Sequence, residues 1–314
     1  LRAYDPAENP EQKPQEISQE IIEKILDKIE ESHRPVLSPG NGVRLAGAIR
    51  EFHELVDVLG VPVVTGMSSV DALESAHPYF VGRSGGTGTR PGNFALQNSD
   101  VLLSIGNRQG FAQTGFQYQD WARESYTILN DIDENELKKP NLHVSLPVVG
   151  DAGELIRGLL AEAKKRGADK GHPLFKGEDW RKQCLLWKEK YPAVTEKHYE
   201  TLEEGCTNIY AFYGELSKAM KENENLMVSV GTSRVAGSQA FQVKKGQRFI
   251  TNPNTASMGF CLPAATGIAV AQPGKAVVCV TGEGSLQMNI QEMQTILQNR
   301  LPVKLFVINN QGYH

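Results

Sequence analysis

The segment 275–314 constrains this chain most. Residues 276–280 are an unbroken apolar run, the pattern of a strand buried on both faces, and the run breaks at Thr281-Gly282-Glu283-Gly284-Ser285. Leu286, Ile290, Met293 and Leu297 then recur at the spacing of one helical face. Pro302 closes that helix, residues 303–308 form a second apolar strand, and Asn309-Asn310 ends it. A strand, a helix and a second strand at these lengths make a βαβ unit, whose strands are parallel and whose crossover is right-handed.

The rest of the chain repeats this alternation. Ile17, Ile21, Ile25 and Ile29 mark a helix, and Pro35-Val36-Leu37-Ser38 a strand running into the turn Pro39-Gly40-Asn41-Gly42. Leu45, Ala48, Ile49, Phe52, Leu55, Val56 and Leu59 give one helix closed by Gly60, and residues 61–64, 101–105 and 126–129 read as strands. Leu155 to Ala163 is a further helix; residues 209–220 and 226–230 form the next helix and strand, and 248–251 another strand. The stretch 258–271 reads as a helix of small residues. The expected fold class is therefore α/β, two parallel-sheet three-layer domains, with the second truncated. The expected limits are a linker at 1–16, a central domain at 17–166, a connection at 167–197 rich in Gly, Lys, Pro and Glu, and the second domain at 198–314. Leu1 is not an initiator methionine and no helix follows the last strand, so the chain reads as a fragment.

Composition excludes several function classes. The net charge of -4 offers no long-range attraction to nucleic acid or to an anionic membrane. The polar, proline-containing start is not a signal peptide, and the apolar stretch 260–271 is too short to span a bilayer. Cys184, Cys206, Cys261 and Cys279 show no CxxC spacing and read as reduced thiols of a cytoplasmic protein. The seven histidines have no ligand or nucleophile spacing; His314, just past Asn310, stands nearest the motif.

Both polar turns of the βαβ unit lie at the carboxyl ends of parallel strands, the edge at which open α/β sheets bind ligands. If the strands are neighbours, Glu283 and Asn310 sit roughly 5 Å apart. A carboxylate and an amide oxygen at that separation suit Mg²⁺, which takes one or two carboxylates and completes its octahedron with phosphate oxygens and water. Gly284 and Ser285 open the crossover helix, where free N–H groups favour a phosphate. A lone Gly-Glu-Gly is an ordinary strand-to-helix turn; the specificity lies in its pairing with Asn310, 27 positions later.

The assembly resembles the diphosphate-binding motif of thiamine diphosphate enzymes, Gly-Asp-Gly followed at this distance by Asn-Asn, with Glu283 where the family carries Asp. The resemblance implies that Gly282, Glu283, Gly284, Ser285 and Asn310 bind the cofactor, and that Glu283, the Asn310 side chain and the Gly312 carbonyl hold Mg²⁺. Ser257-Met258-Gly259-Phe260-Cys261-Leu262-Pro263 resembles the segment in which an apolar residue, here Met258, wedges the cofactor into its bent form. Gly231-Thr232-Ser233-Arg234 matches in part the turn that contacts the diphosphate, which implicates Thr232 and Ser233. Residues 82–89, 93–100, 101–106 and Asn130-Asp131-Ile132-Asp133 resemble the central domain of acetolactate synthases, which in some members holds FAD. The glycine run 82–88 and Arg90 are the candidates for such a dinucleotide, with a mobile loop as the plain alternative.

What the resemblance implies is a thiamine diphosphate- and Mg²⁺-dependent carboligase or decarboxylase acting on 2-oxo acids, foremost the condensation of two pyruvates to acetolactate and CO₂. It implies a homodimer or tetramer at full length. No catalytic residue falls in this chain, because the family's glutamate belongs to a preceding domain, so the chain alone is expected to be inactive. Two alternatives stay open at this point: a nucleotide-binding module without catalysis, permitted by the 82–88 loop, and a structural or regulatory relative, suggested by glutamate in place of aspartate.

Overall fold

The computed structural model describes residues 16–200 and 205–312. The linker expected at 1–16 falls outside them except for Glu16, and His314 falls outside as well.

The first sheet has six parallel strands: β1 (Pro35–Pro39), β2 (Val63–Thr65), β3 (Phe80–Arg83), β4 (Val101–Ile105), β5 (Tyr126–Asp131) and β6 (Leu146–Val149). Their order is β3-β2-β1-β4-β5-β6, so the winding reverses between β1 and β4. The second sheet has four, β7 (Asn225–Val228), β8 (Arg248–Ile250), β9 (Val277–Gly282) and β10 (Val303–Ile308), in the order β10-β9-β7-β8. Every pairing in both sheets is parallel, as the apolar runs require. Strand β1 is buried along its whole length, the signature of a strand covered on both faces.

Helices flank both sheets. Gln19–Glu31 starts on the Ser18 side chain, which accepts from Ile21 N, and lays Ile22, Ile25, Leu26 and Ile29 on the first core. The helix expected from Leu45 to Leu59 is two pieces, Gly42–Leu45 and Ile49–Leu59. Gly47 takes φ +67 between them and leaves Leu45 81% exposed. Ile49–Leu59 ends on Gly60 in the left-handed conformation, as expected. Strands β3 and β6 and the helix Arg90–Gln97 escape the sequence reading. Each is only four to eight residues long, and glycine or proline interrupts every one of them.

The stretch 167–197 contains the helix Glu178–Lys190, whose Trp180 and Cys184 belong to the first core together with Leu174 and Phe175. The two sheets also share a contact zone. Val70, from the first half of the chain, is buried in the second core. Ser75 exchanges two hydrogen bonds of 2.9 Å with Val243, and Asp71 accepts from Arg248 Nε at 2.7 Å.

Lys188 lies at this zone. Its ammonium donates to Ser75 O at 2.8 Å and Phe80 O at 2.9 Å, and burial, followed by repulsion from Arg83, lowers its pKa from 10.5 to about 8. Folding therefore makes the charged form less favourable than it is in the unfolded chain. Between the folded and unfolded values the unfolded chain binds more protons, so stability rises with pH. The cost of charging Lys188 is fully present below pH 8 and recedes as pH climbs through 8 toward 10. Lys188→Met is expected to flatten that rise, read from urea midpoints measured every half unit from pH 7 to 10.

Candidate functional site

The carboxyl ends of β7, β9 and β10 converge on one cavity of about 140 Å³. Its wall includes Val230, Gly231, Thr232, Ser233, Met258, Gly282, Glu283, Gly284, Ser285, Ile308, Asn310 and Gly312. Every residue that the sequence singled out for thiamine diphosphate or Mg²⁺ is on that wall. Val230 and Ile308, which it did not single out, are strand-end apolar residues with no chemical signature of their own.

Strand register brings Glu283 and Asn310 together. β9 and β10 are direct neighbours paired from Val303↔Val277 to Ile308↔Gly282, so both chains leave the sheet at the same level. Glu283 is the first residue of the short helix Glu283–Gln287, capped by Gly282. Gly312 N donates to Glu283 Oε1 at 3.1 Å. One end of the Asn310 amide lies 3.0 Å from Glu283 Oε1 and 2.8 Å from the Gly312 carbonyl oxygen. With its nitrogen at that end, the amide donates to both acceptors. With its oxygen there, a carboxylate, an amide and a main-chain oxygen converge. Bonds of 2.0–2.1 Å meeting at right angles put neighbouring ligands of Mg²⁺ about 2.9 Å apart, so the donor set and its spacing fit that ion. The added methylene of Glu283, relative to aspartate, does not carry its carboxylate away from Asn310.

Two helices point their amino ends at the cavity. Thr232–Ala240 follows Gly231, which takes φ +72, and Thr232 and Ser233 are its first two residues. Glu283–Gln287 is the other. First-turn N–H groups have no partner within the helix and carry the positive end of its dipole, so the cavity offers donors to an anion from two sides.

The Ser285 hydroxyl ties three of these elements together. It is 2.9 Å from Ser229 Oγ, just beyond the end of β7, and it accepts from Gly259 N at 2.9 Å. Asn289 Nδ2 in turn donates to Gly259 O at 2.9 Å. Gly259 takes φ +82, and a Cβ there would stand 2.8 Å from Met288 Cβ. These contacts set the turn that presents Met258, which is 38% exposed beside the cavity. Two expectations are corrected here. The small-residue helix runs from Cys261 to Ala271 and leaves Met258 in the preceding turn, since the left-handed Gly259 cannot continue a helix backwards. The crossover is two short helices, Glu283–Gln287 and Glu292–Gln298, because the Asn289 amide is drawn to Gly259 between them. Of the side chains expected on one helical face, three are exposed: Ile290 51%, Met293 41% and Leu297 70%.

The first sheet carries a larger cleft of about 790 Å³ where its winding reverses, opposite residues 248–254 of the second half. Its floor is made by the turns after β1 and β4. Gly40 is required there, since a Cβ would lie 2.1 Å from Gly106 O. Asp131, at the end of β5, also lines it, with burial raising its pKa. The residues first considered for a dinucleotide lie elsewhere. Gly88 O accepts from Gln239 Nε2 at 3.1 Å, and Arg90 stacks over Tyr191 with its guanidinium 5.9 Å from the ring centre. The glycine turn at 40–42 was the visible signal for the cleft, but only strand order reveals that it stands at a reversal.

Residues 22–159 match the family described as thiamine pyrophosphate enzyme, central domain, and residues 229–314 match its C-terminal TPP binding domain. The chain is 30% identical over 277 residues to the acetolactate synthase isozyme 3 large subunit of Escherichia coli K12, covering 88% of this chain and 47% of that protein. It is 30% identical over 291 residues to a probable acetolactate synthase large subunit of Methanococcus aeolicus, covering 90% and 47%. The large subunit from Cyanidium caldarium gives 30% over 283 residues, covering 90% and 46%. The chain thus spans about half the length of the curated relatives it matches. No helix among the described residues is long and apolar enough to cross a membrane.

Replacing Ser285 by Ala should leave the buried Gly259 N–H without an acceptor. A loss of about 1–3 kcal/mol is expected, read as a lower urea midpoint at unchanged m-value.

Proposed function

Since the chain belongs to the thiamine pyrophosphate enzyme family, we propose that the cavity at the ends of β7, β9 and β10 holds the diphosphate of that cofactor together with Mg²⁺, and that the whole protein acts on 2-oxo acids as a carboligase or decarboxylase, foremost in the acetolactate synthase reaction on pyruvate. The observation that carries the reading is the convergence of Glu283, Asn310 and the Gly312 carbonyl at 2.8–3.0 Å on one side of a cavity whose other side presents helix amino ends. A nucleotide-binding module without catalysis has no need of that pairing.

Bound thiamine diphosphate supplies a thiazolium carbon able to carry an acyl group as a carbanion equivalent, and that organic chemistry is the cofactor's own. This chain's residues hold and orient it. Glu283, Asn310 and Gly312 would anchor Mg²⁺, which gathers the phosphate oxygens, while the N–H groups of Thr232, Ser233, Gly284 and Ser285 would take those oxygens the ion leaves. Met258 stands beside them as the apolar support for a bent cofactor. In this reading the central domain ends near residue 166, the cofactor domain begins near 198, and the connection between them rides on the first core. The whole protein would work in the cytoplasm as a homodimer or tetramer, and its substrate is a small molecule.

The cleft of the first sheet extends the reading. A volume of about 790 Å³ at the winding reversal, with Asp131 and Asp133 beside it to accept from ribose hydroxyls, suits FAD better than the 82–88 loop does. Titrating FAD into the full-length protein should quench or polarise flavin fluorescence, and Asp131→Ala should weaken that binding several-fold.

The central test is isothermal titration of thiamine diphosphate into the full-length protein with and without Mg²⁺. Binding should require the ion. Glu283→Gln removes one charge-assisted ligand contact and should weaken Mg²⁺-dependent binding about tenfold or more, the scale of a lost 1.5–3 kcal/mol. Equal binding with and without Mg²⁺ would sink the metal assignment.

A further inference from the structure

We propose that Arg83, on the edge strand β3 of the first sheet, is a positioning residue for the diphosphate end of the cofactor cavity: it grips the helix Thr232–Ala240 at its carboxyl end and so sets where Gly231, Thr232 and Ser233 stand at its amino end. The proposal rests on the thiamine diphosphate reading above, and it adds a role for the central domain in that site.

Arg83 is only 3% exposed. Its Nη2 donates to Phe241 O at 2.9 Å and approaches Ser75 Oγ at 3.5 Å, while Nη1 approaches Gln239 O at 3.5 Å. Phe241 is the residue that caps the helix, and Gln239 lies in its last turn. Carbonyls at a helix end lack partners within the helix and carry the negative end of its dipole, so a cation there is well placed. Elsewhere Arg83 has only the Phe80 ring, 5.6 Å from the guanidinium carbon, and a weaker attraction from Asp71, which do not offset the burial of its charge. Among the described residues no carboxylate forms an ion pair with Arg83, and its Nε has no partner. A second cation, Lys188, is close enough to feel its charge. Burying an unpaired guanidinium is expensive, and what it receives in return here is the end of one helix from the other half of the molecule.

The same helix is also held at its first turn, where Arg234 Nη1 donates to Pro253 O at 2.9 Å, and along its flank. Tyr213 OH donates to Ser233 O at 2.8 Å, and its ring lies so close to Gly237 that a Cβ there would come within 2.9 Å of the ring. The Gln239 side chain joins Tyr210 OH at 2.6 Å to Gly88 O at 3.1 Å, which adds a second tie to the loop after β3. Tyr213 fixes how the helix lies on its own domain. Arg83 fixes its end against the other. A helix of nine residues is a lever of roughly 13 Å, short and stiff enough that a slip at the carboxyl end reaches the N–H groups at the amino end.

The test compares the full-length wild type with Arg83→Met, Arg83→Lys and a control, Phe52→Leu, which loosens the first core without touching the helix. Each is titrated with inorganic pyrophosphate and with thiamine diphosphate, both with Mg²⁺, and each is melted. Arg83→Met should weaken both ligands about tenfold, the scale of a displaced charge-assisted contact, and Arg83→Lys, which keeps the charge but loses the fork, about threefold. Turnover of a 2-oxo acid should return at saturating cofactor, so the change falls on the KM for cofactor and not on kcat. Phe52→Leu should lower the melting temperature and leave both affinities at the wild-type value. Wild-type affinity in Arg83→Met overturns the proposal, as does an equal loss in Phe52→Leu. If Arg83→Met does not fold, wild-type affinity in Arg83→Lys overturns it. A wild type that binds neither ligand overturns the reading of the cavity itself, and the proposal with it.

Discussion

The parallel pairing of β9 with β10 is the constraint on which the candidate site rests. Side chains in a strand alternate between faces, so a slip of one residue would turn Asn310 away from Glu283 and leave one carboxylate with no second ligand. The register Ile308↔Gly282 prevents this, and it is maintained by burial. β9 is buried from Val277 to Thr281, with Cys279 and Val280 fully inside the second half's cores. Packing at one end of a strand thereby decides the chemistry at the other.

The site is supported from behind by polar contacts that have no direct chemistry. The Ser285 hydroxyl joins the end of β7, the start of the crossover and the Gly259 turn, so three segments distant in sequence meet at one oxygen. Such a contact is strong when complete and leaves a buried donor unpaired when broken. Nearby, Cys261 and Cys279 lie in contact with sulfurs 3.2 Å apart, both buried, and contact with Cys279 followed by burial holds the Cys261 thiol strongly protonated. These two thiols act as small apolar packing groups under the cavity.

The division of the molecule has a physical counterpart. The two sheets have separate cores, yet Val70, Ser75, Arg83 and Asp71 of the first half insert into or bond with the second. The larger cleft lies at this junction and the smaller cavity lies beyond it. Away from the junction the second half is apolar and open, with Val270 61%, Leu297 70% and Val307 42% exposed along its outer helices and edge strand.

Much of this was legible in the residues themselves. The βαβ unit and its polar turns, with Gly282, Glu283, Gly284 and Ser285 at one strand end and Asn310 27 positions later at the other, follow from apolar runs and glycine turns, whereas Thr232, Ser233, Met258 and Gly312 are implied by the resemblance to thiamine diphosphate enzymes. Those signals are local, and long buried strands state them clearly. The short strands β3 and β6 were not legible, because glycine or proline interrupts their apolar pattern. Neither was the break of the crossover helix at Asn289, whose partner Gly259 is 30 residues away. A dinucleotide is expected at residues 82–88 because a glycine run is conspicuous. The larger cleft lies instead at the strand-order reversal beside Gly40 and Gly106, where two backbones meet. Sequence determines which segments are strands, which turns are polar and which groups stand at strand ends. Only the tertiary structure decides which ends are neighbours and which half of the molecule holds a helix in place, because those depend on contacts between residues that no local pattern connects.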